Sequence, residues 1–173
     1  MTLLGLPPLA RPTARLLILG SMPGGQSLAR QQYYAHPRNL FWPLMYQALA
    51  AGDPASEAYP QRCQRLLAQD VALWDVLQRC RRAGSLDSQI ERDSEEANDL
   101  ARFLQQHPGI DTLVFNGAAA EQLFRRHLLR AHPDWQHRYR LLRLPSTSPA
   151  NAGQSHADKL ARWAAAVWCR HNA

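Results

Sequence analysis

LLILGSMPGG, residues Leu16–Gly25, decides how the rest of the chain is read. An apolar run stops at Gly-Ser-Met-Pro-Gly-Gly, so Arg15 to Ser21 reads as a short buried strand ended by glycine and proline. The glycines could let backbone N–H groups approach an anion near a helix start. The stretch lacks, however, the lysine and hydroxyl of a GxxxxGKS or GxxxxGKT phosphate loop, and it is not GxGxxG. A plain strand-to-loop turn explains it equally well.

The same pattern repeats downstream. Asn39 to Ala51 reads as a helix with Phe41, Leu44, Met45 and Ala48 at helical spacing, and a second helix covers Glu57 to Gln69. Val71–Leu77 reads as a short strand, Ser94 to Gln106 as a helix, and Asp111 to Phe115 as the next buried strand. Asn116-Gly117 breaks that strand into a helix from Ala118 to about Leu129, and Tyr139 to Leu144 is another strand. Ser155 and Asp158 have capping-box spacing before a final helix whose apolar face is Leu160, Ala161, Ala164, Val167 and Trp168. Alternating strands and helices imply an α/β fold with a mostly parallel sheet between two helical layers. Ligands in such folds bind at the carboxyl ends of the strands. Three strands end in suggestive loops: Gly20 to Gly24, Asn116-Gly117, and Pro145 to Pro149. A parallel sheet brings all three to one edge.

Bulk properties bound the answer. The 173 residues suit one domain, 1–173, with 1–14 as a proline-containing lead-in. Hydrophobic residues make up 46%, enough for a core, and no stretch approaches the roughly 18 apolar residues of a membrane span. The first residues lack a signal peptide's charged start and cleavage site, so the expected location is cytoplasmic. The net charge of +6 suits a polyanionic partner. Arg125 to Arg143 holds six arginines against Asp134, whereas Asp87 to Asp99 holds six acids against Arg92. The basic region could follow a phosphate backbone or be a solvated face. Cys63, Cys80 and Cys169 are odd in number and widely spaced, arguing against a disulfide framework or a metal site. No cofactor and no metal are expected.

The loops carry the chemistry. In YYAHPRN, Tyr33 and Tyr34 can stack on bases or sugars, His36 can transfer protons, and Asn39 can hold a water. Asn39 is equally a helix cap before Phe41 and Trp42. Asn116 is a polar residue at the end of a buried strand, either a reader of a base edge or a turn residue before Gly117. Pro145 to Asn151 is a rigid loop of small donors that can grip phosphates. Asp75 in LWDVL is either a carboxylate at a strand end or a local cap.

Taken together, LLILGSMPGGQSLARQQYYAHPRNLFW, ALWDVLQRCRRAGSLDSQI, LVFNG and LPSTSPAN resemble, in order and spacing, the hypoxanthine-DNA (DNA-deoxyinosine) glycosylases of the uracil-DNA glycosylase superfamily. The resemblance spans about residues 15 to 151. It implies a three-layer α/β/α sandwich around a short parallel sheet, and hydrolytic excision of a deaminated base from DNA in base excision repair. Asn39 matches the asparagine that positions water, with His36 beside it. Tyr34 and Phe41 fall where a base is stacked, and Asn116 where its edge is read. Gly20, Ser21 and Met22 line the base site, and Ser146, Thr147, Ser148, Pro149 and Asn151 form the DNA-contacting loop. A related mismatch-specific branch carries GINPG where this chain has Gly20-Ser21-Met22-Pro23-Gly24, so Met22 replaces an asparagine used there. The stretch Gly84 to Asp87 shares the resemblance without an assigned role.

Such an enzyme flips the base out of the stack and cleaves through a sugar cation, so oriented water and a stabilised leaving base suffice. A glycosylase that also cuts the strand needs an amine. The single lysine, Lys159, is expected on a solvated helix face, so the expectation is a monofunctional enzyme acting as a monomer on DNA. A uracil-, mismatch- or xanthine-directed enzyme of the same superfamily is one alternative. A non-catalytic nucleic-acid or nucleotide binder on this fold is another. An α/β hydrolase of phosphorylated metabolites is disfavoured by the lack of a GxSxG elbow.

Overall fold

The computed structural model describes residues 1–167. Four parallel strands form the centre: β2 (Leu16–Gly20), β3 (Val71–Asp75), β6 (Thr112–Asn116) and β7 (Arg140–Leu144), in the order β3-β2-β6-β7. Every residue of β2 is buried, which is why its sequence is an uninterrupted apolar run. Side chains alternate between two cores. Leu17, Leu19, Leu113 and Phe115 pack on one face against α4 (Leu100–Gln106), α5 (Ala118–Phe124) and α6 (Trp135–Arg138). Leu16, Ile18, Leu73 and Val114 pack on the other against α2 (Phe41–Ala48), α3 (Tyr59–Leu67) and α7 (His156–Val167). The expected three-layer sandwich is the observed one.

The lead-in is not idle. β1 (Thr2–Leu4) joins β4 (Leu77–Arg81) and β5 (Glu96–Ala97) in a second, antiparallel sheet of order β1-β4-β5. Three strands of two to five residues, with Gln78 and Arg79 exposed in β4, carry no period-2 pattern to detect. β5 also delays the helix expected from Ser94. It begins at Leu100, where Asp99 Oδ1 accepts the Arg102 N–H at 3.0 Å. The helix expected from Asn39 starts at Phe41, with Asn39 Oδ1 accepting the Phe41 N–H at 2.9 Å. α5 continues through a π-helical turn, Arg125–Leu129, matching the expected end. Ser155 caps α7 as read, its Oγ accepting the Asp158 N–H at 3.1 Å. Cys63 and Cys80 are buried thiols. Trp168 and Cys169 lie outside the described residues.

Lys159 contradicts its expected solvated position. It is only 2% exposed, because its stem packs beneath the loop after β7 and its Nζ donates to the Asn151 carbonyl at 2.6 Å. One turn on, the fully buried Trp163 donates its indole N–H to the Pro145 carbonyl at 2.9 Å. α7 therefore holds both ends of the Pro145–Asn151 loop. Replacing Trp163 with alanine should cost about 3–5 kcal/mol of stability, read as a lowered urea midpoint.

Candidate active site

All four parallel strands end on one side, and the loops that follow enclose a cavity of about 590 Å³. It is lined by the loop after β2, the Tyr33–Asn39 segment, Asp75, the Ser85–Asp87 turn, Asn116 and Ser146–Ala150. The convergence expected from the sequence is thus realised, in a volume suited to a small-molecule-sized group. Among the described residues no group of three or more His, Cys, Asp or Glu side chains is placed to hold a metal ion. Nor is any helix there long and apolar enough to cross a membrane.

The loop after β2 is held from below by a turn the sequence left without a role. Arg82, its side chain wholly buried, donates to the Pro23 carbonyl at 2.6 Å and to the Gly84 carbonyl at 3.1 Å. Ser21 Oγ donates to Asp87 Oδ1 at 2.7 Å, and the Gly25 N–H donates to Ser85 Oγ at 2.9 Å. Gly84 to Asp87 is therefore a clasp on the first loop. A buried arginine serving carbonyls carries no sequence signal, since arginines are ordinarily solvated.

The aromatic segment is equally fixed. Tyr33 is pinned by its hydroxyl to the Pro7 carbonyl at 2.9 Å, and its own carbonyl accepts the Trp42 indole N–H at 2.9 Å. Tyr34 adopts a left-handed conformation (φ 55°), uncommon for a bulky side chain. Its ring stacks on Phe41 with centroids 4.1 Å apart. Phe41 is fully buried and does not reach the cavity. Tyr34 thus presents the aromatic face, with Phe41 one layer behind it. Of the two aromatics expected to stack on a base, Tyr34 lines the cavity and Phe41 does not.

His36 and Asn39 both line the cavity. His36 Nδ1 accepts the Arg38 N–H at 3.1 Å, which puts the neutral ring's proton on Nε2. Asn39 keeps its amide nitrogen and one carbonyl lone pair beyond the cap to Phe41. Asn116 also lines the cavity, but its amide is largely spent on Thr147. Nδ2 donates to Thr147 Oγ1 at 2.9 Å, and Oδ1 accepts the Thr147 N–H at 2.9 Å. The serine-threonine loop is thereby latched to the end of β6. Gly117 (φ 95°) permits this, because a Cβ there would meet Ser146 Cβ at 2.8 Å. Asn151 stays behind the loop, donating to the Ser146 carbonyl at 3.2 Å.

The cationic surface is smaller than its arginine count suggests. Arg125 and Arg143 pair with Glu121, and Arg126 pairs with Glu95 from the acidic stretch. Arg38 is the arginine on the cavity wall, and it is exposed.

Asp75 is the residue that sequence reasoning underweighted. β2 and β3 run in register with Gly20 opposite Asp75, and a Cβ on Gly20 would lie 2.3 Å from Asp75 Oδ1. Burial pushes its carboxyl up to about 7, with Asp87 adding and Arg82 opposing. Burial and the same carboxylate also raise the Tyr34 hydroxyl, which stays protonated.

The architecture and cavity define an α/β domain built to take a ligand at its strand ends. Residues 7–170 match the family described as Uracil DNA glycosylase superfamily, and the chain belongs to it. A hypoxanthine DNA glycosylase of Methanosarcina acetivorans is 35% identical over 148 residues, 85% of this chain and 87% of that one. Its counterpart in Methanosarcina barkeri is 35% identical over 113 residues, 65% of this chain and 70% of the relative. A solution NMR structure from M. acetivorans, provisionally assigned as a uracil DNA glycosylase, superposes with a TM-score of 0.79 at 33% identity. That match covers 99% of this chain and 98% of the other.

A carboxyl raised in the fold stabilises the protein at low pH and loses that contribution as pH climbs from about 4 to about 7. Asp75→Asn should therefore gain stability over the wild type by about 2–3 kcal/mol more at pH 8 than at pH 5, measured by urea unfolding.

Proposed function

We propose that this chain is a monofunctional DNA glycosylase that excises deaminated bases, chiefly hypoxanthine, and acts as a cytoplasmic monomer. The observation that carries the reading is the meeting of His36, Asn39, Tyr34 and the Ser146–Pro149 loop around one base-sized cavity. It occurs in a chain of this superfamily whose relatives bear that activity's name.

In the proposed reaction the flipped nucleotide enters beside Tyr34, with the edge of its base toward the cavity floor. The C1′–N9 bond breaks as electrons move into the purine, leaving a sugar cation. Asn39 Oδ1 holds a water that adds through oxygen to C1′. The proton it sheds ends on the base, which departs neutral. His36 Nε2–H faces the developing negative charge on the purine and stabilises it as a donor. Orientation and preorganised donors supply the acceleration, with no strong base required. Lys159 donates to a backbone carbonyl behind the loop, which supports water rather than an amine as the nucleophile.

At the pocket rim, Arg38 and the backbone of Ser146–Pro149 take the flanking phosphates. Leu86, 51% exposed on the rim, is the apolar side chain that fills the gap left by the flipped base.

Asn39→Ala tests the reading. Expected is retained binding to a deoxyinosine duplex with excision reduced on the order of 100-fold or more. Strand breaks should form only after alkali. Unchanged excision would remove Asn39 from the chemistry, and breaks without alkali would contradict the monofunctional assignment. Arg38→Ala should weaken binding similarly on damaged and undamaged DNA and reduce the salt slope by about one.

A further inference from the structure

Two buried polar atoms at the floor of the cavity have no hydrogen-bond partner among the described residues: Asp75 Oδ2 and the Tyr34 hydroxyl. Both belong to residues on the cavity wall, and the two side chains approach one another over Gly20. A Cβ there would lie 2.3 Å from Asp75 Oδ1 and 3.3 Å from the Tyr34 oxygen. Buried polar atoms in folded proteins are almost always paired, and an orphan calls for an explanation. Among the described residues no donor reaches Asp75 Oδ2. Arg82, the neighbouring cation, spends its guanidinium on the Pro23 and Gly84 carbonyls. Asn98 bonds only the main-chain oxygen of Asp75, at 2.8 Å. The Asp75 residue is 4% exposed. Burying an unpaired carboxyl destabilises the fold, and a ligand that pairs it recovers the loss.

The two orphans differ in kind. A carboxylate oxygen only accepts, whereas a phenol donates readily. We infer that Asp75 and Tyr34 read the lactam edge of the flipped base, Asp75 accepting its ring N–H and Tyr34 donating to the adjacent carbonyl oxygen. This inference rests on the reading of the cavity as a base pocket, and it assigns what selects the substrate class there. Deamination replaces a ring nitrogen acceptor and an exocyclic amine by a ring N–H and a carbonyl. Hypoxanthine presents N1–H beside O6, and uracil presents N3–H beside O4. Adenine and cytosine present a lone pair at that ring nitrogen, which would face the carboxylate oxygen and repel it. One carboxylate therefore separates hypoxanthine and uracil from their amino parents adenine and cytosine, though not from guanine or thymine, which carry the same N–H beside a carbonyl. Tyr34 contributes binding but little discrimination, since a phenol can also accept from an amine.

The groups facing Asp75 are Tyr33 and Tyr34 from the aromatic segment, Asp87 from the clasp and Arg82 after β4. Both tyrosine hydroxyls are raised by burial and remain neutral, so Asp75 is the group whose change of state matters. When protonated it gains a donor and can pair with adenine, so discrimination falls as pH drops below about 7.

The test is titration of isotope-labelled full-length protein with free hypoxanthine, uracil, adenine and cytosine, following the amides of Gly20, Tyr34 and Asn116 by NMR. At about pH 8 the lactam bases should bind at least roughly tenfold tighter than their amino parents, with the preference shrinking near about pH 6. Asp75→Asn, whose amide offers both a donor and an acceptor, should bring the preference within about threefold. Tyr34→Phe keeps the stack on Phe41 and should weaken the lactam bases about tenfold. Equal binding of hypoxanthine and adenine by the wild type would overturn the inference. So would an unchanged preference in Asp75→Asn, or no response of these amides to any base. Excision of deoxyinosine is scored in parallel. No excision with the base preference intact contradicts the glycosylase reading alone. Excision with no preference contradicts the Asp75 assignment alone.

Discussion

The site depends on one close approach: Gly20 at the end of β2 lies opposite Asp75 at the end of β3, with no room for a Cβ between them. Parallel register sets the pair, and the absence of a side chain on Gly20 lets a carboxyl sit at the cavity floor beneath Tyr34. Any other residue at position 20 would displace Asp75 or part the strands. The apolar run Leu16–Leu19 does two jobs through this contact. It builds the sheet, and it delivers a glycine to the point where a polar group must be buried.

Around that floor the walls are tied by hydrogen bonds to the scaffold. Arg82 holds the first loop, Asn116 latches the serine-threonine loop, and Lys159 with Trp163 anchors that loop's two ends. Each tie runs from a side chain on or beside a regular element to a backbone group of a loop. Chemistry that relies on oriented water and fixed donors benefits from such rigidity, because a loosened loop would have to be reordered in the transition state. Tyr34, held in a left-handed conformation against Phe41, belongs to the same economy of fixed positions.

Much of the fold was legible because β2, β3 and β6 are largely apolar runs, and β2, β6 and β7 run into glycine, asparagine or proline at their ends. The three loops that close the cavity follow directly from that alternation. The second sheet was not legible, since strands of two to five residues with mixed exposure leave no periodic trace. At the site, Asn39, His36 and Tyr34 could be named from residue type and resemblance. Three assignments needed coordinates. Phe41 looked like a stacking surface, but tertiary packing put Tyr34 in front of it. Lys159 looked solvated, yet its long stem is buried with its amine on a carbonyl. The Asp75 carboxyl had no visible partner in the sequence, and among the described residues its Oδ2 has none.

The central claim is that water replaces a deaminated purine on the sugar. Direct chromatographic detection of the released base, from a duplex with one deoxyinosine under single-turnover conditions, tests it most directly. The account predicts free hypoxanthine in amounts equal to the enzyme-bound duplex, with the strand intact until alkali is added. Binding of that duplex with no hypoxanthine released would contradict it and leave the protein a binder on a glycosylase fold.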